Sequence, residues 1–350
     1  MKTLILPIAG ESSRFPNVRP KFLLTHPSGN SILTEAIRGL DLKSFNKILV
    51  IGLKKHATIY GYVKALSVEL NKEYGIGDKL DFCLLTKPTK NQPETVVRGI
   101  EAKSIEGEIV IKDCDNCFDL IKYTGNFVGV YKLENLKEVN AGNKSYIKLG
   151  KSGEIVNIVE KNVISSTFCC GIYGFKEVSE FIDTYYKLEK LNNIYISHII
   201  YQMILDGKVF FTAEAKNYLD WGTLEDWLKF TSQFATIFID IDGVLVENSG
   251  KILDPKWNST SGIKKNIATV NKAYSSGHFH IILTTSRDSS NMALTIKQLK
   301  DEGLKNWHRL IMDLPHSKRI LINDHSISNP YPTAIAINLK RNSEDLSEIL

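Results

Sequence analysis

A chain of 350 residues exceeds what one compact core usually supports, so two domains are expected. Its 43% hydrophobic and 24% charged residues are ordinary for a globular enzyme, and the net charge of +5 is spread along the sequence with no block that would mark a nucleic-acid arm. No apolar run approaches a membrane span, and Met1-Lys2-Thr3 leads into a short strand without an apolar leader, so no nucleic acid, no membrane and a cytoplasmic location are expected.

From the amino terminus, apolar runs at residues 3–8, 47–52, 80–85 and 108–111 predict strands, separated by helix-periodic stretches at 31–40, 56–72 and 93–103. Residues 127–174 are strand-rich, and helices are predicted at 176–190 and 195–205. A second strand–helix series starts at Ala235, with strands at 236–240, 278–284, 319–322 and 334–338 and helices at 262–275 and 289–302. This rhythm predicts two α/β domains, residues 1–232 and 233–350, each a mostly parallel sheet flanked by helices. The five cysteines include a Cys114/Cys117 pair and adjacent Cys169-Cys170; they read as buried structural thiols rather than a zinc site.

The first strand ends at Ile8 and turns through Ala9-Gly10-Glu11-Ser12-Ser13-Arg14, with Pro20-Lys21 following. Glycine lets backbone N–H groups approach phosphate oxygens, while Arg14 and Lys21 supply positive charge. One glycine and two cations would also suit an ordinary surface turn. The full string is narrower: it resembles the sugar-nucleotidyltransferase family, whose loop reads roughly (L/I)xAGxxxRhxxxxPKxL, with Pro7 and Glu11 departing from the usual small residues.

The likeness continues in order along the first domain. Gln92-Pro93-Glu94-Thr95 falls where these enzymes touch the base, so the resemblance implies nucleotide binding by Ala9, Gly10, Ser12, Ser13, Arg14, Lys21, Gln92 and Thr95. Asp113-Cys114-Asp115-Asn116 resembles the family's metal-binding strand end, with Asp115 favoured by the tetrapeptide and Asp113 by strand length. Glu160, Lys161 and Gly171 fall in the acceptor-binding stretch, and Tyr218-Leu219-Asp220-Trp221-Gly222-Thr223 resembles the element whose aspartate, here Asp220, completes a Mg2+ site. The implied chemistry is attack of an acceptor phosphate on the α-phosphorus of a nucleoside triphosphate. Both reactants are anions, so a metal with Arg14 and Lys21 on the leaving group would neutralise repulsion.

In the second domain, an apolar strand ends in Asp240-Ile241-Asp242-Gly243, which puts two carboxylates on one side of a strand end. Phosphate-ester hydrolysis through a phosphoaspartate needs such a nucleophile and a nearby acid/base. The pattern resembles the haloacid dehalogenase phosphatases, which implies Asp240 as nucleophile and Asp242 as general acid. By the same likeness Thr285 is the strand-end hydroxyl (Thr284 adjoins it), Lys318 balances phosphate charge, and Asp240, Asp242 and Asp324 hold a second Mg2+. Asn323 stands where an aspartate is common. The spacing on either side of Thr285 leaves no room for a cap domain, so another surface is expected to shape the site.

The resemblance implies a bifunctional enzyme with one Mg2+ in each domain. The short first domain and its Asp-x-Asp-Asn string favour CTP over dTTP, UTP or GTP, with a sugar or polyol phosphate as acceptor. Fusion to a phosphatase implies consecutive steps toward a bacterial capsule or surface-polysaccharide precursor, and leaves open a homo-oligomer. The alternative from another class is a single catalytic domain beside a degenerate binding or regulatory module.

Overall fold

The computed structural model describes residues 1–10, 19–120, 123–136, 141–191, 193–249, 257, 259–324 and 334–350. The chain divides into two units, Met1–Leu228 and Lys229–Leu350. Among the described residues no helix is long and apolar enough to cross a membrane.

The first unit opens with β1 (Lys2–Pro7), α1 (Ile32–Ala36), β2 (Lys47–Leu53), α2 (Lys54–Tyr60), α3 (Tyr62–Tyr74), β3 (Leu80–Leu85), α4 (Gln92–Lys103) and β4 (Glu108–Lys112). The four strands lie parallel in the order β3-β2-β1-β4. The apolar runs of β1, β2 and β4 are uninterrupted because both sheet faces are covered there. Leu4, Leu6, Ile48 and Val50 enter one core, and Ile5, Leu49 and Ile51 enter the other. Full burial of each such side chain contributes roughly 2 kcal/mol. The single helix expected over 56–72 is two helices, because Gly61 at φ 60° closes α2 and opens α3. The helix expected over 31–40 covers only α1, capped by Ser31 accepting from the Thr34 N–H, and then gives way to turns.

β5 (Asn116–Leu120), β6 (Phe127–Lys132), β7 (Ser145–Leu149), β8 (Ile155–Glu160), β9 (Thr167–Phe175), α5 (Val178–Leu188), α6 (Ile196–Leu205), β10 (Phe211–Asp220) and α7 (Leu224–Thr231) follow. β9 runs antiparallel between β4 and β6. β10 lies between β6, to which it is parallel, and β5, to which it is antiparallel. β10 carries the polar residues Glu214, Lys216 and Asn217 on its exposed positions, which masks its strand character in the sequence. The strand matters because it ends at Asp220.

The second unit has β11 (Ala235–Asp240), α8 (Lys264–Ser276), β12 (Phe279–Thr284), α9 (Met292–Asp301) and β13 (Arg309–Ile311). Three parallel strands in the order β11-β12-β13 pack Ile239, Ile241, Ile281 and Leu283 against Ile267, Val270 and Leu299. The strands expected at 319–322 and 334–338 are not formed, and Ile320, Ile322, Ile335 and Ile337 are largely exposed. An apolar run supplies strand propensity, but a strand exists only where a neighbour takes up its N–H and C=O groups. The third strand is instead β13, too short and too polar at Arg309 to announce itself.

Candidate active sites

The first site gathers where β1, β4 and β10 end and β5 begins. The Ile8 N–H is anchored on the Ile51 carbonyl at 2.8 Å, and the chain then passes buried Ala9 to exposed Gly10. Among the described residues, a Cβ on Gly10 would meet nothing within 4 Å. Ser12, Ser13 and Arg14 lie outside the described residues.

β5 and β10 bring the candidate metal aspartates together. Asp220 pairs with Asn116 across the ladder, and the Trp221 N–H donates to the Asp115 carbonyl at 2.8 Å. Lys21, expected on the triphosphate, donates to Asp115 Oδ2 at 2.7 Å. Asp113 is tied differently. Its N–H donates to the Gly171 carbonyl at 2.8 Å, and its Oδ1 accepts from Gln92 Nε2 at 2.5 Å. Burial first, and then the charge of Asp115, push the Asp113 carboxyl up to about 6, against the opposing pull of Gln92, Lys112 and Lys21.

The expected base- and acceptor-binding residues are placed as follows. Gln92 begins α4 and reaches inward to Asp113. Thr95 is buried, its hydroxyl 2.5 Å from Thr89 Oγ1 and 3.3 Å from the Asn91 carbonyl. Glu160 accepts from Ser145 and from Ser197 Oγ at 2.8 Å. Lys161, at φ 55°, donates to the Tyr195 hydroxyl at 2.7 Å and lies 4.5 Å from that ring. Gly171 packs beneath the aspartates: at φ 88°, a Cβ there would come within 2.7 Å of Asp113 Oδ2 and 2.6 Å of Asn116 Nδ2. It shapes the aspartate loop.

Two lysines without an assigned role complete this site. Lys112 is fully buried, and its ammonium donates to the carbonyls of Asp113 (2.6 Å) and Asn116 (3.0 Å) and to Asn116 Oδ1 (2.6 Å). Lys144 donates to Asp220 Oδ2 and, at 2.8 Å, to the Tyr218 hydroxyl. The partners of Lys112 lie within four residues of it, whereas those of Lys144 are 74 and 76 residues away. The donor set is oxygen only. Among the described residues no group of three or more His, Cys, Asp or Glu side chains is arranged to hold a metal by itself. Mg2+ commonly takes one or two protein carboxylates and completes its shell with substrate phosphates and water, so Asp115 and Asp220 fit that ion. All five cysteines are free and buried, and burial pushes their thiols up, as suits inert packing groups.

The second site is at the end of β11. Asp240 pairs with Thr284 of β12, and its Oδ1 lies 3.5 Å from Arg319 Nη2. Burial raises the Asp240 carboxyl, Arg319 opposes this, and Asp242 adds to it. Asp242 accepts from Thr285 Oγ1 at 3.0 Å and from the buried guanidinium of Arg287. Thr285 is thus the hydroxyl brought to the aspartates, whereas Thr284 donates to the Ile239 carbonyl at 3.2 Å. Arg319, rather than Lys318, approaches Asp240; Lys318 and Asp324 are exposed in irregular chain. Both Asp242 oxygens are engaged by Arg287 and Thr285. The signal for Arg287 was its place two residues after Thr285.

No protein-family model matches the chain, and no curated protein matches it. Solved structures do. A nucleoside-diphosphate-sugar pyrophosphorylase from Vibrio cholerae RC9 is 20% identical with a TM-score of 0.55, covering 65% of this chain and 98% of that one. A UDP-glucose pyrophosphorylase complexed with UDP-glucose is 16% identical, TM-score 0.51, covering 65% and 96%. The inositol-1-phosphate CTP transferase from T. maritima is 13% identical, TM-score 0.50, covering 64% and 90%. The matched share equals that of the first unit, 228 of 350 residues. The first unit has the nucleotidyltransferase fold.

Proposed function

We propose that the amino-terminal unit is a Mg2+-dependent nucleotidyltransferase that moves a cytidylyl group from CTP to a sugar or polyol phosphate. The observation that carries this reading is the β5–β10 ladder, which sets Asp220 beside the Asp115 segment at the sheet end reached by the Gly10 turn. In the reaction an acceptor phosphate oxygen bonds to the α-phosphorus, the bond to the bridging oxygen breaks, and the electron pair leaves with pyrophosphate. Lys161 would hold the acceptor phosphate, and Lys21 would neutralise the leaving group. Mg2+ on Asp115 and Asp220, when bound, supplies charge neutralisation at the phosphates. The T. maritima CTP transferase among the similar folds supports CTP and a polyol phosphate as the reactants to try first.

The carboxyl-terminal unit, in the same proposal, hydrolyses a phosphomonoester. An Asp240 oxygen bonds to phosphorus, the ester oxygen leaves with a proton from Asp242, and water then cleaves the aspartyl phosphate. Arg319 near Asp240 and the fixed orientation of Asp242 support this reading. Such a pair of activities suits a cytoplasmic supply of activated sugar or polyol for a bacterial surface polysaccharide.

Pyrophosphate release, measured with CTP, UTP, dTTP and GTP against a panel of sugar and polyol phosphates, tests the first activity. CTP with Mg2+ should give the highest rate, and Asp115→Ala or Asp220→Ala should nearly abolish it. Near-normal turnover in both variants would remove the metal assignment. Hydrolysis of an aryl phosphate, lost in Asp240→Asn, tests the second. Hydrolysis persisting in that purified variant rules out Asp240 as nucleophile.

A further inference from the structure

The Asp220 carboxylate is in a built cradle. Lys144 Nζ donates to Asp220 Oδ2 and to the Tyr218 hydroxyl, and it lies 5.2 Å from the Tyr218 ring and 5.7 Å from the Phe168 ring. Only 12% of the Lys144 side chain and 29% of that of Asp220 are exposed. An ammonium is strongly hydrated, so so much burial requires compensation, which the carboxylate, the phenol oxygen and two aromatic faces supply. The backbone beneath is fixed as well. The Lys161 N–H donates to the Lys144 carbonyl at 2.9 Å, and the next residue, Ser145, pairs with Glu160 in the β7–β8 ladder. Lys144 therefore enters the site beside the lysine assigned to the acceptor phosphate.

We propose that Lys144 is the exchangeable counter-ion of Asp220: its ammonium and a divalent cation compete for the same carboxylate, and the displaced ammonium goes to reactant phosphate beside Lys161. This rests on the metal role given above to Asp220. Two cations drawn to one carboxylate repel each other, and the repulsion is stronger where water is scarce. The lysine stem has four flexible carbons, so its head can move from carboxylate to phosphate while its backbone stays in the ladder. Exchange keeps the local charge balanced both with and without the metal. A lysine with a purely structural role has the opposite signature, because deleting it would loosen the site.

Mn2+ binding to the full-length protein without nucleotide, followed by calorimetry or by the electron-spin-resonance signal of free Mn2+, separates these cases. Lys144→Met should bind Mn2+ about tenfold more tightly than wild type, since a competing cation has gone. Lys144→Arg keeps the charge and should bind no more tightly than wild type. Asp220→Asn should bind at least about tenfold more weakly. At saturating Mg2+ and CTP, Lys144→Met should raise KM for the acceptor phosphate. Unchanged or weaker Mn2+ binding in Lys144→Met, alongside a weakened Asp220→Asn, overturns the exchange and leaves the metal site standing. Unaltered binding in Asp220→Asn overturns both.

Discussion

Arg287 grips both carboxylate oxygens of Asp242. Its Nε lies 3.2 Å from Oδ1 and 3.1 Å from Oδ2, and its Nη2 lies 2.7 Å from Oδ1. The other arm, Nη1, donates to the Trp257 carbonyl, Thr295 Oγ1 and Gln298 Oε1, and 1% of the side chain is exposed. A buried planar fork held through all three of its nitrogens fixes the orientation of the carboxylate it grips.

Replacing this fork by a point charge should therefore separate rate from binding. Arg287→Lys cannot serve two carboxylate oxygens and three further acceptors, and phosphatase kcat should fall about tenfold or more with KM little changed. Arg287→Met leaves Asp242 without its partner and should cost about 3 kcal/mol in urea unfolding. A wild-type rate in Arg287→Lys would show that the orientation of Asp242 does not limit hydrolysis.

Lys112 is the second buried cation with a complete set of acceptors. Lys112→Met fills much the same volume but leaves the Asn116 carbonyl and side-chain oxygen without their donor, at a cost of roughly 2 kcal/mol. A lowered urea midpoint with an unchanged slope is the expected result. A variant as stable as wild type would mean that water replaces the ammonium.

The buried Asp113 carboxyl sets a pH dependence of the opposite sense to that of an ordinary salt bridge. Its folded-state value, about 6, stands above the ordinary value of 3.8, so folding favours the protonated form. Its contribution is most favourable below the unfolded value and is lost as pH rises through that window. Asp113→Asn, measured without divalent cations, should gain stability relative to wild type between about pH 4 and about pH 8. A difference that stays flat across this range contradicts the shift.

Gly171→Ala puts a methyl group against Asp113 and Asn116 on a backbone at φ 88°. Strain and contact together should cost about 2–3 kcal/mol, and the displaced Asp113 loop should lower nucleotidyl transfer beyond what unfolding explains. Thermal unfolding and pyrophosphate release on the same preparation check this. Full activity per folded molecule would show that the loop tolerates the shift.

The parallel strands were legible because both faces of β1, β2 and β4 are buried, which writes them as unbroken apolar runs. The aspartates were legible as strings, including Asp220, even though the strand carrying it was hidden by the solvent-facing Glu214, Lys216 and Asn217. The role of Lys144 was not, since Tyr218 and Asp220 lie far along the chain; Arg287 stood in the string after Thr285, but its hold on Asp242, 45 residues away, is not written there. Residues 319–322 and 334–338 misled for the converse reason: Ile320 and Ile337 have the composition of a strand, but composition supplies no hydrogen-bonding neighbour. Gln92, expected at the base, is the first residue of α4, and its amide turns toward Asp113, which a sequence string does not encode.

β5 is the last strand in the sheet order, and among the described residues its strand partner is β10. The carboxylates of Asp115 and Asp220 therefore become neighbours only when the tenth strand docks. A nascent chain can lay down the parallel half of the sheet, with the Gly10 turn at its edge, long before Asp220 has been synthesised. It cannot assemble the two-aspartate centre. The order of synthesis itself thus holds back the Asp115–Asp220 pairing until the domain is nearly finished.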